Sequence, residues 1–152
     1  MSVIAWDGKT LAADRFAEMC GISGEAQKLF LLPSNEVVGF TGPLAGGMEL
    51  LALYRVDRLI SHWPESQKGD DWSRLVVGKM NGTVVYYEKS PAEIPIYGKQ
   101  LAWGSGQDFA LTAMSLGQDA ALAVSVTNLL CSTCGHGVTA FTYEDGFWRQ
   151  VS

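Results

Sequence analysis

Short apolar runs separated by turn words dominate the first third of the chain. Residues 2–6 and 10–14 are apolar segments on either side of Asp7-Gly8-Lys9. Asp-Gly between two such runs predicts a β-hairpin, because glycine accepts positive φ at no steric cost. Residues 15–24 are mixed and contain glycine, a pattern that predicts a loop or irregular excursion. Residues 27–32 and 36–41 then predict a second hairpin, turned by Pro33-Ser34-Asn35. From residue 44 to about residue 62 the pattern changes. Leu44, Met48, Leu51, Leu53, Val56, Leu59 and Ile60 recur at near-helical spacing with Arg55, Asp57 and Arg58 interleaved, which predicts the first long helix. Trp63-Pro64 should end it, since proline has no amide hydrogen and restricts the residue before it.

A polar loop is expected over 65–71. Residues 74–79 and 83–88 flank Met80-Asn81-Gly82, another hairpin signal. Residues 90–98 carry two prolines and predict an edge segment or loop, not a central strand. A short strand over 101–103 runs into Gly104-Ser105-Gly106, helices are expected over 107–116 and 119–130, and Asp119 is placed to cap the second. Residues 138–143 and 147–151 close the chain as a hairpin across Glu144-Asp145-Gly146. Strands thus come in groups, and helices in groups. That order predicts an α+β architecture with antiparallel sheets and argues against βαβ alternation.

Composition narrows the class without naming a function. The 152 residues are 47% hydrophobic and 18% charged, which suits one globular domain spanning 1–152. Net charge is −5 and the basic residues are scattered, so nucleic-acid binding is not expected. No apolar run approaches the roughly 20 residues that cross a bilayer. Residues 1–7 have no basic stretch followed by an apolar block, so no secretory signal is expected and a cytoplasmic location is. Cys20, Cys131 and Cys134 are an odd number of thiols, which argues against a disulfide framework.

Several local words occur in one recognisable order. Ser2-Val3-Ile4-Ala5 is followed by Asp7-Gly8-Lys9-Thr10-Leu11-Ala12-Ala13-Asp14, and Lys28 stands in the third strand. Val37-Val38-Gly39-Phe40-Thr41-Gly42 precedes a helix start rich in small residues, and Ala102-Trp103-Gly104-Ser105-Gly106 comes later. In these words and their order the chain resembles, over nearly its whole length, the proteasome β-subunits and their bacterial relative HslV. The resemblance implies a four-layer αββα sandwich with two antiparallel sheets, of the N-terminal-nucleophile (Ntn) hydrolase kind. It would be a short member, of a size that a bacteriophage could carry.

The resemblance also implies a site, with Ser2 as nucleophile once Met1 is removed, Asp14 and Lys28 as electrostatic support, Gly42 as oxyanion donor and Ser105 beside the terminal amine. The chemistry is coherent. A hydroxyl needs an adjacent base near neutral pH, and a terminal α-amine has a pKa near 8. A lysine lowers the pKa of neighbouring groups, a carboxylate fixes the lysine, and an amide at a helix start stabilises an oxyanion. Each residue alone has a plainer interpretation. Serine after an initiator methionine is common, an aspartate at a strand end caps a loop, a strand lysine is usually solvated, and Gly-Ser-Gly is usually a turn.

Where the family places an aspartate before a Ser-Gly-Gly turn, this chain has Cys131-Ser132-Thr133-Cys134-Gly135-His136-Gly137. Cys-x-x-Cys with a nearby histidine invites zinc, but a fourth ligand is wanting, and buried thiols with a turn histidine are the plainer interpretation. No metal and no cofactor is expected. Two functions follow. One is a peptidase acting on peptide substrates through Ser2. The other is a catalytically inactive protein of the same ancestry, with a structural, interaction or inhibitory role. Either would self-associate into a homo-oligomer such as a ring, and any unfoldase partner is left unspecified.

Overall fold

The computed structural model describes residues 2–58 and 61–151. Met1, whose removal would free Ser2, and Leu59 and Ile60 of the expected first helix lie outside the described residues.

In chain order the elements are β1 (Ile4–Trp6), β2 (Thr10–Asp14), β3 (Phe16–Met19), β4 (Ile22–Glu25), β5 (Leu29–Leu32), β6 (Glu36–Thr41), α1 (Leu44–Val56), β7 (Arg74–Gly78), β8 (Val84–Tyr87), β9 (Ile94–Pro95), β10 (Leu101–Trp103), α2 (Gln107–Ser115), α3 (Ala120–Leu130), β11 (Val138–Glu144) and β12 (Phe147–Gln150). The strands form three sheets, ordered β10-β1-β2-β11-β12, β3-β4 and β5-β6-β7-β8-β9, and every pairing is antiparallel.

This corrects the expected four-layer αββα Ntn-hydrolase sandwich with two antiparallel sheets. Among the described residues there are twelve strands in three sheets and only three α-helices, a small, mixed, β-rich fold. Two segments account for much of the difference. Residues 15–24, expected as a loop, supply the third sheet: β3 and β4 pair from Phe16↔Glu25 to Met19↔Ile22 around a turn in which Cys20 and Gly21 both take positive φ, 54° and 76°. The helix expected to run to residue 62 ends instead at Val56. Asp57 turns extended (φ −134°, ψ 99°) while its amide still donates to the Leu53 carbonyl, and the redirected chain lets the Arg58 guanidinium reach buried Glu36 at 2.5 Å. Trp63-Pro64 therefore lies beyond the helix and does not end it. A 3-10 turn over Glu65–Gln67 occupies the polar loop. The Pro-bearing segment contributes only the two-residue strand β9, at the sheet edge, where a missing amide hydrogen costs least.

Three apolar clusters hold these elements. One joins α2 and α3 to the first sheet through Val3, Ala12, Ala110, Met114, Val124 and Ala140. A second, including Ile4, Leu11, Leu29, Val76, Trp103 and Trp148, lies between the two five-stranded sheets. A third packs Leu50, Leu51 and Tyr54 of α1 against Val38, Leu75 and Val77. Strand register gathers the expected site residues. Ile4 of β1 lies opposite Ala13 of β2 on one side and Trp103 of β10 on the other. Ser2 and Val3, Asp14, and Gly104-Ser105 therefore meet at one end of the first sheet. In the other large sheet the Phe40 amide donates to the Lys28 carbonyl, so Lys28 lies across from the end of β6, just before Gly42.

Candidate active site

Asp14 is the centre of the arrangement. It is fully buried, and among the described residues its carboxylate accepts from four donors. Oδ1 takes the Val3 amide at 3.0 Å and the Lys28 ammonium at 3.0 Å, and Oδ2 takes the amides of Phe16 at 3.2 Å and Gly135 at 3.3 Å. A buried charge is tolerated when it is paired and its lone pairs are satisfied, and both conditions hold here. Burial lowers the pKa of Lys28 below its usual value of 10.5, although the Asp14 carboxylate and, more weakly, Cys134 pull it upward. Lys28 is thus an internal, tightly held cation beside the start of the chain, and not a solvated strand residue.

Ser2 is held by its backbone. Its N donates to Ser105 Oγ at 3.1 Å, and its carbonyl accepts the Gly106 amide at 3.2 Å and the Ser105 hydroxyl at 3.4 Å. Gly104, with φ of 98°, lies so close that an added Cβ would be 2.2 Å from the Ser2 carbonyl oxygen. Only glycine allows this approach. The Ser2 side chain differs from its backbone. The residue is 1% exposed, and its Oγ has no hydrogen-bond partner among the described residues. Buried hydroxyls are nearly always paired, so Ser2 Oγ is an exception, as are the side-chain nitrogens of Trp63 and Trp103.

Beside these residues a cleft of about 440 Å3 is lined by Lys28, Gly42, Phe16, Phe40, Leu44 and Ala45, with Glu18 and Asp71 also on its wall. Ser2 is not on that wall, and Lys28 is the link between the cleft and the Ser2 end of the sheet. Gly42 follows β6 and precedes α1 by one residue, Pro43. α1 has no side-chain N-cap and no acidic residue in its first turn, so the positive end of the helix is uncompensated by its own side chains next to Gly42. Gly42 also takes φ of 100°, and an added Cβ would sit 2.7 Å from the Trp72 carbonyl.

The structure therefore joins Ser2, Ser105, Asp14 and Lys28 through hydrogen bonds, directly or through Val3, and places Gly42 on the same cleft as Lys28. Two contributors were not legible in the sequence. Thr133 Oγ1 lies 2.9 Å from Ser105 Oγ and 3.3 Å from Cys131 Sγ, and the Gly135 amide binds Asp14. Both come from the turn where the resemblance leads one to look for an aspartate. A hydroxyl three residues past a helix end was the only signal. His136 lies against Phe16, with ring centroids 5.8 Å apart, and among the described residues no three of His, Cys, Asp and Glu cluster as a metal site. No helix among them is long and apolar enough to cross a membrane.

No family model and no curated protein matches the chain in sequence. In structure it is similar to BPH of Thiobacillus denitrificans. The complex of that protein with epoxomicin superposes at a TM-score of 0.70 with 17% identity, over 95% of this chain and 98% of the other. BPH alone gives 0.69 at the same identity and coverage. At that identity the likeness shows a shared fold.

Proposed function

We propose that the chain is a peptidase of the proteasome and HslV kind, acting in the cytoplasm, with Ser2 as nucleophile once Met1 is removed. The observation that carries this reading is the buried Ser2 Oγ, which has no hydrogen-bond partner among the described residues, on the residue before Val3, whose amide donates to the Lys28-paired Asp14. In the proposed reaction the freed α-amine takes the Ser2 hydroxyl proton as Oγ attacks a peptide carbonyl carbon. The Gly42 amide, at the positive end of α1, receives the oxyanion. Collapse expels the amine half of the substrate, which leaves with the proton held on the α-ammonium. Water then attacks the acyl ester with the same amine as base, and Ser2 is regenerated. Ser105 orients the amine, and the Lys28 charge, anchored by Asp14, favours the deprotonated forms the first step needs. No cofactor enters the scheme. The cleft wall, apolar at Phe16, Phe40 and Leu44 and acidic at Glu18 and Asp71, suits an apolar or basic substrate side chain. The binding of epoxomicin by a protein of the same fold makes that compound a sensible ligand to try.

The experiment pairs an intact mass with a cleavage assay. Loss of Met1 and cleavage of peptide esters are expected, with Ser2→Ala reducing cleavage to background while the circular dichroism spectrum is unchanged. Full cleavage by Ser2→Ala would refute the proposal.

A second reading has its own observation. Leu116, Leu122, Leu129 and Leu130 are exposed on or just after α2 and α3, an apolar set suited to a second copy of the chain. A non-catalytic, self-assembling protein would keep Met1 and show no cleavage. Both readings expect an oligomer in light scattering at micromolar concentration.

A further inference from the structure

The turn after α3 carries two thiols that the peptidase scheme does not use. The Cys134 amide donates to the Cys131 carbonyl at 3.3 Å, closing a four-residue turn. Such a turn keeps its first and fourth Cα atoms within about 7 Å, and disulfides span Cα separations of about 4.4–6.8 Å. The surroundings of the two thiols differ. Cys131 is half-buried with Thr133 Oγ1 at 3.3 Å, and Cys134 is buried at 6% exposure, its sulfur against Gly106.

We propose that Cys131 and Cys134 form a dithiol site that exchanges with small-molecule disulfides of the glutathione class and closes an intramolecular disulfide beside Ser105. Burial alone would raise the Cys131 thiol. Hydrogen bonds from Thr133, Cys134 and Ser105 outweigh it and hold the thiol below its ordinary value of 9.0. Burial, with the Asp14 carboxylate adding to it, pushes Cys134 up to about 12. The order of events follows, because the thiolate is the attacking form. The Cys131 thiolate attacks one sulfur of the small disulfide, the S–S bond breaks, and one small thiolate leaves and takes up the proton that Cys131 released. Cys134 then attacks the Cys131 sulfur of the mixed disulfide, its proton passes to the second departing thiolate, and the protein disulfide forms. The protein loses two protons and two electrons, and the small disulfide, taking them up, becomes two thiols. Closure also removes the Cys131 thiol from the row Cys131–Thr133–Ser105–Ser2 N. The site stands on the turn itself and does not depend on whether Ser2 is catalytic.

The test uses Cys20→Ser protein, so that the exposed thiol of the β3–β4 turn is silent, with the unaltered chain as a control for reagent activity. Reduced protein is treated with oxidised glutathione, quenched in acid and measured by intact mass and peptide mapping. A loss of two hydrogens in the peptide holding Cys131 and Cys134 is expected. Adding Cys134→Ser should trap one glutathione on Cys131, and adding Cys131→Ser should leave Cys134 unmodified in the folded protein. A stable glutathione adduct in Cys20→Ser protein would overturn the proposal. So would thiols that stay free while Cys20 of the control reacts, or Cys134 modified as fast as Cys131. If either double variant fails to fold by circular dichroism, the mass of Cys20→Ser alone decides.

Discussion

Two buried carboxylates, Asp14 and Glu36, each face a cation, and the contrast between them shows what sets a candidate site apart from a structural brace. Glu36 opens β6 and is 3% exposed. Its Oε1 takes the Ser34 hydroxyl at 2.7 Å and Arg58 Nε at 2.5 Å, and its Oε2 takes the Tyr54 hydroxyl at 2.5 Å. Burial first, and then this carboxylate, push the Tyr54 hydroxyl far above its usual pKa. All three donors are side chains, and together they tie the C-terminal end of α1 to the hairpin turn. Among the described residues Asp14 is bound mostly by backbone amides, with Lys28, on a cleft wall, as its side-chain partner. The residue before its Val3 partner, Ser2, carries a buried hydroxyl with no hydrogen-bond partner among the described residues. Burial of a charge pair is therefore common to both regions and does not distinguish them. The unspent hydroxyl does.

Four variants or conditions would break or sharpen that contrast. The largest effect is expected from Lys28→Ala, which should reduce cleavage by about a thousandfold, as loss of a group acting as a unit with the nucleophile does. Removing one partner of a buried pair costs about 3–5 kcal/mol. The three amides that remain on Asp14 place this variant at the lower end, so denaturant melts should still show a folded protein. Gly104→Ala comes next. A methyl there would press on the Ser2 carbonyl, and misplacing a nucleophile by about 1 Å costs on the order of a hundredfold, to be seen in kcat. Glu36→Gln should cost about 1–3 kcal/mol of stability and leave cleavage unchanged below the unfolding midpoint. A loss of cleavage there would merge the two regions and undo the contrast.

The smallest effect is alkaline. Cys134 is pushed from 9.0 up to about 12 in the folded chain, so the unfolded chain releases this proton first. The stability it contributes is complete below about pH 9 and is lost as pH rises towards 12. Under reducing conditions Tm should fall across that window, and Cys134→Ala should flatten the fall.

Local rules made much of the secondary structure legible. Asp7-Gly8 and Asn81-Gly82 stand where hairpins turn, and Asp119 caps α3 by accepting from the Leu122 amide at 2.8 Å. The β3–β4 hairpin was hidden because its turn is Cys20-Gly21, and cysteine with positive φ is not a usual turn signal. The end of α1 was hidden because apolar spacing continues past Val56, while the chain bends to satisfy Glu36, a tertiary demand that periodicity does not carry. The expected two-sheet, four-layer sandwich failed largely at these two places. Ser2, Asp14, Lys28, Gly42 and Ser105 were nameable only through a family resemblance. The Asp14 contacts of Gly135 and the Ser105 contact of Thr133 join residues 121 and 28 positions apart, a closeness that only the folded chain creates.

Covalent labelling of Ser2 tests the central claim most directly. With Met1 removed, a fluorophosphonate should modify the Ser2 hydroxyl alone. The adduct should map to the N-terminal peptide, be absent from Ser2→Ala, and form faster as pH rises through about 8, where a terminal amine becomes a base. A folded protein that has lost Met1 and cleaves peptide esters, yet takes the label at another serine or at none, would contradict it.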